Sequence, residues 1–203
     1  INGVLTATYA GNYTVNNSTY AQLIGGQVIT GYLRHFTGYI SNVRIVTGSA
    51  LYTSDFVPSK SPLPIASSGS TALLTCRGRS STDESANGFT VTSTGNVAVS
   101  RKSPFRKDEV WTASYYFDGT TDYLTAPDNA AFEIGSGDFT IEFWIYHTTA
   151  PDTNNRCVFN TNTNGFFLQM RNTAFGIGVP GVAENNAFSY TFAGNTWYHI
   201  AVD

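Results

Sequence analysis

The chain has 203 residues, a formal net charge of −3 and 12% charged residues, about half the usual share near 25%. Its 11 Lys and Arg leave no basic footprint for nucleic acid, and 14% aromatic residues exclude a disordered chain. No run approaches the ~18 apolar residues of a membrane-spanning helix, and no signal peptide is visible.

The chain opens "INGVLTATY". Asn2-Gly3 between apolar residues predicts a tight hairpin turn, because both central residues must take positive φ. Only Ile1 stands before it, so the first arm of that hairpin is expected to lie elsewhere. "NYT" at Asn12 and "NST" at Asn17 match the N-glycosylation pattern, which a chain rich in Asn, Ser and Thr produces by chance. "YISNVRIV" reads as a strand. In "VPSKSPLPIASSGS" the texture changes: Pro58, Pro62 and Pro64 cannot serve a central strand, and the Ser/Gly tail is flexible. This stretch is a linker or a long connection across the surface.

Strands resume at "TALLTC" and "FTVTS". "RKSPFRK", Arg101 to Lys107, is a basic cluster that reads as a solvated loop. "DNAAFEI" offers one helical turn, and nothing else sustains a helical period. "DFTIEFWIY" alternates: Phe139, Ile141, Phe143 and Ile145 share one face, and Thr140, Glu142, Trp144 and Tyr146 the other. "RCVF", "GFFLQM", "FGIGV" and "SYTF" are further strands. "TWYHIAV" sets Tyr198, Ile200 and Val202 opposite Trp197, His199 and Ala201. Strands apolar on one face and aromatic or polar on the other predict an all-β, two-sheet antiparallel β-sandwich. Cys76 and Cys157 each sit in a strand-like setting and read as free buried thiols.

Several of these stretches together resemble the laminin-G-like, concanavalin A-like jelly-roll family, in the versions found in phage virion and large bacterial surface proteins. "TALLTCRGRSSTDESANGFTVTSTGNVAVS" is similar to the family's opening strands, and "YYFDGTTDYLTAP" with "GDFTIEFWIY" to its centre. "NTWYHIAVD" resembles the strand that enters a hairpin ending in "NG", and "INGVLTAT" the far side of that hairpin. "HFTGYISNVRIVTGSALYTSDFVPSKSPL" resembles the closing strand. The order is permuted. The resemblance implies that residues 1–64 are the C-terminal part of a domain, 65–69 a linker and 70–203 an N-terminal and central part, as in a window across two tandem repeats. Two arrangements satisfy this: one sandwich closed by both parts, or two half-domains with bare apolar faces. Exposed apolar surface at roughly 25 cal/mol per Å² favours the first.

The same family includes glycosidases, whose retaining members place two carboxylates about 5 Å apart. Here Glu142 is the one acidic residue of "FTIEFWIYH", with Trp144 two positions on, so no enzymatic activity is expected. Asp118 and Asp122 of "FDGTTDYL" read as turn residues. His35, His147 and His199 stand singly, and no glycine-rich phosphate loop opens a helix. Some family members hold calcium at the sandwich rim. "TTAPDTNNR" and "NTNTNG" offer Asp152, Asn154, Asn155, Asn160, Asn162 and Asn164, which read first as turn chemistry, so no cofactor is expected, calcium being the alternative. Asp152, Asn154, Asn155 and Arg156 are the candidate ligand-binding residues. The expected role is a lectin-like binding or adhesion module on a virion surface, in a tail fibre or decoration protein. Its expected partners are other virion or surface-protein subunits and host glycan, with no nucleic acid and no membrane insertion. The alternatives are a structural virion spacer and a bacterial cell-surface adhesin.

Overall fold

A computed structural model describes residues 1–8, 20–29, 32–105, 112–161, 166–178 and 186–203. The glycosylation-pattern residues Asn12 and Asn17, the end of the basic cluster at Arg106 and Lys107, and Asn162 and Asn164 lie outside the described residues. In chain order the strands are β1 (Gln22–Ile24), β2 (Gly26–Ile29), β3 (Tyr32–His35), β4 (Thr37–Thr47) and β5 (Ser70–Thr75). Next come β6 (Thr92–Thr94), β7 (Ala98–Ser100), β8 (Ser114–Asp118), β9 (Tyr123–Ala126) and β10 (Phe139–Tyr146). The last five are β11 (Arg156–Asn160), β12 (Phe167–Arg171), β13 (Ala174–Gly178), β14 (Asn186–Ser189) and β15 (Trp197–Val202). Among the described residues a single 3₁₀ turn, Ala130–Phe132, falls inside "DNAAFEI", capped by the Asn129 side chain.

The strands form an all-β sandwich. One sheet runs β14-β13-β12-β11-β1-β9-β6 and the other β15-β10-β4-β8-β7, with β5 also paired to β4. Every recorded pairing is antiparallel. The hairpin β2–β3 stands as a separate two-stranded sheet. Apolar positions of both sheets meet in one core, among them Ile24, Leu124, Val158 and Leu168 from the first and Ile40, Phe117, Phe143 and Ile200 from the second. Strands β1 and β4, both from the first 64 residues, are interior strands: β1 lies between β11 and β9, and β4 between β10 and β8.

Strict alternation fails in β4. Ile40 and Ile45 are five positions apart, which in a regular strand would put them on opposite faces. Both are buried in the core. The register against β10 shifts between Glu142 and Trp144, and on β4 the slack falls at Asn42, whose φ is 54°. Asn tolerates this left-handed conformation better than most residues. Asn42 is buried, its Nδ2 donates to Ser41 Oγ at 2.9 Å, and its Oδ1 accepts from Leu63 N at 2.9 Å. The bulge thus re-aims the second half of β4 and pins the proline-rich stretch to the sheet.

At the N-terminus Asn2 (φ 52°) and Gly3 (φ 79°) form the expected tight turn, with Val4 N donating to Ile1 O at 3.0 Å. Asn2 also docks on β15: its N donates to His199 O at 2.8 Å, and its Oδ1 accepts from His199 N at 2.8 Å. Two strand expectations shift. Of "FTVTS" only Thr92 and Ser93 join a strand, because Phe89 N is taken by the Asp83 carboxylate and the Phe89 ring packs on Phe132. "SYTF" leaves the ladder after Ser189, since Tyr190 N and Phe192 N bond Thr173 O and Asn172 O and Phe192 is buried. Cys76 and Cys157 are free and buried, and burial pushes both thiols up to about 12. No helix of the described residues is long and apolar enough to cross a membrane.

The bulge gives a direct test. Asn42→Val forces a β-branched residue into the left-handed region and strands Leu63 N, so urea unfolding should show a loss of about 2–4 kcal/mol. Asn42→Gly keeps the backbone conformation and should lose only the share carried by the two side-chain hydrogen bonds, about 1–2 kcal/mol.

Candidate functional site

The face of the β15-β10-β4-β8 sheet turned away from the core carries two contrasting regions. Cross-strand register builds both. At one end Tyr116, Tyr39, Tyr146 and Trp197 stand side by side on β8, β4, β10 and β15. Neighbouring ring centroids are 5.1, 5.7 and 5.4 Å apart in that order. Tyr146 OH donates to Asn195 Oδ1 at 3.1 Å. Lys102 Nζ sits 3.8 Å from the Tyr146 ring centroid and 5.6 Å from that of Tyr39, a cation–π contact on two faces. Tyr39, Tyr116 and Trp197 are part-exposed, so the row is a half-open aromatic platform.

The second region is closed. Glu142 is 0% exposed, and its Oε1 accepts from Arg44 Nε at 2.7 Å and also from Arg44 Nη2. Its Oε2 accepts from Tyr52 OH at 3.1 Å and from His199 Nε2 at 3.0 Å. Burial alone would raise the Glu142 carboxyl. The His199 hydrogen bond and the Arg44 charge outweigh it and hold the group below the ordinary 4.5. Tyr52 is pushed up to about 12 by burial and by the neighbouring carboxylate. The Tyr52 ring stacks on Phe56 at 3.7 Å, and Arg44 Nη1 donates to Pro64 O at 2.8 Å, so the connection after β4 lies over this network. Asp203 joins the same cover: its Oδ1 accepts from Leu51 N, Tyr52 N and Thr140 Oγ1.

Asp152 and Asn154, in the loop between β10 and β11, come together with Arg156, the first residue of β11. Asp152 Oδ2 accepts from Arg156 Nη2 at 2.7 Å and Asn154 Nδ2 at 2.8 Å, and Oδ1 accepts from Asn154 N at 3.0 Å. Desolvation pushes the Asp152 carboxyl up, but these bonds and the Arg156 charge together outweigh it and hold the group below 3.8. Asn155 is part-buried, with Oδ1 unpartnered among the described residues. Asn160 is buried within β11, apart from the loop. Among the described residues no group of three His, Cys, Asp or Glu could hold a metal ion.

The loop borders the aromatic row. Asn195 N bonds His147 O at 2.7 Å, and a Cβ on Gly194 would meet Ala150 N at 2.5 Å. The turn at 194–195 therefore packs against the start of the loop and presents Asn195 to Tyr146. His147 is buried, with Nε2 3.0 Å from Met170 Sδ, and burial pulls it down to about 4. Asp118 and Asp122 serve the backbone: Asp118 Oδ1 accepts from Thr120 N and Oγ1, and Asp122 accepts from Asn96 N and Asp118 N.

No local sequence pattern marks the aromatic row. Each of its residues occupies an outward position of a strand, but nothing within one strand says which outward residues of four strands share a row.

Residues 118–203 match the family model Laminin_G_3, described as the concanavalin A-like lectin/glucanases superfamily. The matched stretch carries β9 to β15, and with them Glu142, the Asp152 loop and half of the aromatic row. No curated protein and no solved structure matches the chain.

The buried carboxylate predicts a pH-dependent stability. A lowered folded-state pKa means that the unfolded chain binds the proton more readily, so the Glu142 contribution is complete above 4.5 and fades as pH falls through the lowered value. Glu142→Gln leaves Arg44 buried without its counter-charge, and chemical denaturation at neutral pH should show a loss of about 3–5 kcal/mol. The gap between wild type and variant should narrow in acid.

Proposed function

We propose that this domain is a non-catalytic binding and adhesion module that takes a glycan at the end of the sheet formed by Tyr116, Tyr39, Tyr146 and Trp197. The aromatic row carries this reading. Flat rings offer area to the C–H faces of a sugar at little loss of side-chain freedom. The Asn195 amide and the Asp152–Asn154 loop stand beside the row as polar groups that fix orientation. Matching residues 118–203 to a lectin and glucanase superfamily agrees with a carbohydrate ligand. A binding rather than hydrolytic role is supported by Glu142, whose oxygens are committed to Arg44, Tyr52 and His199 and have no second carboxylate two positions along the strand. The setting we propose, a tail fibre or decoration protein on a virion surface or otherwise a bacterial surface protein, follows the sequence resemblance.

A second reading, a structural spacer packed against neighbouring subunits, is favoured by one observation. Val4, Leu5 and Val57 are 59%, 54% and 81% exposed, and the bond from Phe56 N to Gly3 O sets their segments side by side. Exposed apolar residues grouped in this way mark contact surfaces.

A glycan array probed with the soluble protein should show binding to at least one sugar class. Trp197→Ala should weaken that binding about tenfold or more without changing the melting temperature by more than a few degrees. An array without binding, together with a well-folded dimer or fibre through the Val4–Val57 patch, would leave the spacer reading in its place.

A further inference from the structure

Next to the aromatic row, one pair of side chains has hydrogen-bonding capacity that the fold does not use. Trp144 and His199 are cross-strand partners on β10 and β15, with ring centroids 5.1 Å apart. Trp144 Nε1 and His199 Nδ1 are both buried, and neither has a hydrogen-bond partner among the described residues. His199 itself is 1% exposed. Leaving such groups unpaired forfeits their hydration with nothing in exchange, so two on neighbouring residues of one face are not neutral to the fold.

The chemistry of the pair is complementary. An ionised carboxylate only accepts, so the contact with Glu142 Oε2 requires the hydrogen of neutral His199 to sit on Nε2. Nδ1 is then an acceptor, while Trp144 Nε1–H is a donor. One oxygen that both accepts and donates satisfies the two together. Two hydrogen bonds of about 2.9 Å to a common oxygen let the two nitrogens lie up to about 5.8 Å apart. A carboxylate could not donate to Nδ1, and an ammonium could not accept from the indole. A hydroxyl does both.

We propose that Trp144 and His199 form a hydroxyl-binding position for a carbohydrate, with the ligand oxygen accepting from Trp144 Nε1–H and donating to His199 Nδ1. This rests on the glycan reading above and extends it. Tyr146 and Trp197 lie two residues along the same strands, about 7 Å away. A sugar stacked on the row directs its next hydroxyl toward the pair. Phe105 covers the Trp144 side of the pair, its ring meeting Trp144 edge-on at 5.8 Å, while Phe56 meets His199 edge-on at 5.6 Å. Phe105 belongs to the segment that also lays Lys102 on Tyr146, and the described main-chain bonds of this segment are local, from Lys102 N to Ser100 Oγ and from Phe105 N to Ser103 Oγ. Displacing Phe105 therefore breaks no strand pairing.

The test follows the indole N–H and imidazole nitrogen signals of ¹⁵N-labelled protein while glucose, galactose, mannose and N-acetylglucosamine are titrated separately. With at least one sugar, the Trp144 indole and His199 Nδ1 signals should move together and saturate. Trp144→Phe keeps a ring against Phe105 but removes the donor, and should weaken binding about three- to tenfold. Phe105→Ala should tighten it. Saturable shifts confined to the Trp197 indole and Asn195 overturn this proposal and leave the glycan reading standing. No shift anywhere overturns both. Unmoved Trp144 and His199 signals with a crystallographic water bridging the two nitrogens mean a buried water only, and overturn it as well.

Discussion

A carboxylate without access to water must be neutralised where it stands, and the position of Glu142 dictates much of this molecule. Its partners come from three separate parts of the chain: Arg44 from β4, Tyr52 from the connection that follows, and His199 from β15. Removing any one of them leaves a buried charge or a buried polar atom uncompensated, so the three segments are held in one mutual register. Hydrophobic burial alone discriminates least against a two-residue slip of β4 against β10, which keeps every side chain on its own face. The ion pair does not tolerate it. The network therefore specifies which residues of β4 face β10, while the apolar core supplies most of the stabilisation.

The bulge at Asn42 is the backbone's answer to the same requirement. Upstream of it, alternation sends Ile40 inward and Tyr39 and Ser41 outward. Downstream, Val43 and Ile45 must be inward and Arg44 outward to reach Glu142. One extra residue reconciles the two halves, and a left-handed Asn whose amide is bonded at both ends holds it. The same side chain fixes Leu63, so the proline-rich stretch becomes part of the outer layer. Prolines that cannot join a ladder are well placed there, because the stretch is held by side chains of β4 rather than by strand pairing.

Alternation in "DFTIEFWIY" and "TWYHIAV" made the sandwich and both faces of β10 and β15 legible, because period two is a property of a single strand. Asp152, Asn154 and Arg156 were legible as a group for a related reason: their contacts span at most four residues. What stayed hidden depends on register between strands distant in sequence. The partnership of Arg44 with Glu142 crosses 98 positions, and the row from Tyr116 to Trp197 needs three strand pairings at once. The shift of "SYTF" out of its ladder has the same origin, since Phe192 is claimed by the core and its backbone by the turn at Asn172. Local chemistry shows in the sequence, and long-range pairing does not.

The two regions of the outer face differ in what covers them, and this separates structure from function. Over Glu142 the cover is permanent: Tyr52 and Phe56 are stacked, Arg44 bonds Pro64, and Asp203 anchors Leu51 and Tyr52. Exposing that region would uncover charge. Over the aromatic row the described cover is the Lys102 ammonium, a cation–π contact of about 0.5–2 kcal/mol. A ligand that stacks on Tyr146 and Trp197 competes with one such contact, and Lys102 returns to water at little loss because its charge is well hydrated there. Recognition belongs at the end of the sheet where displacement is inexpensive, and the buried network a few residues away keeps the strands beneath that end from moving when it occurs.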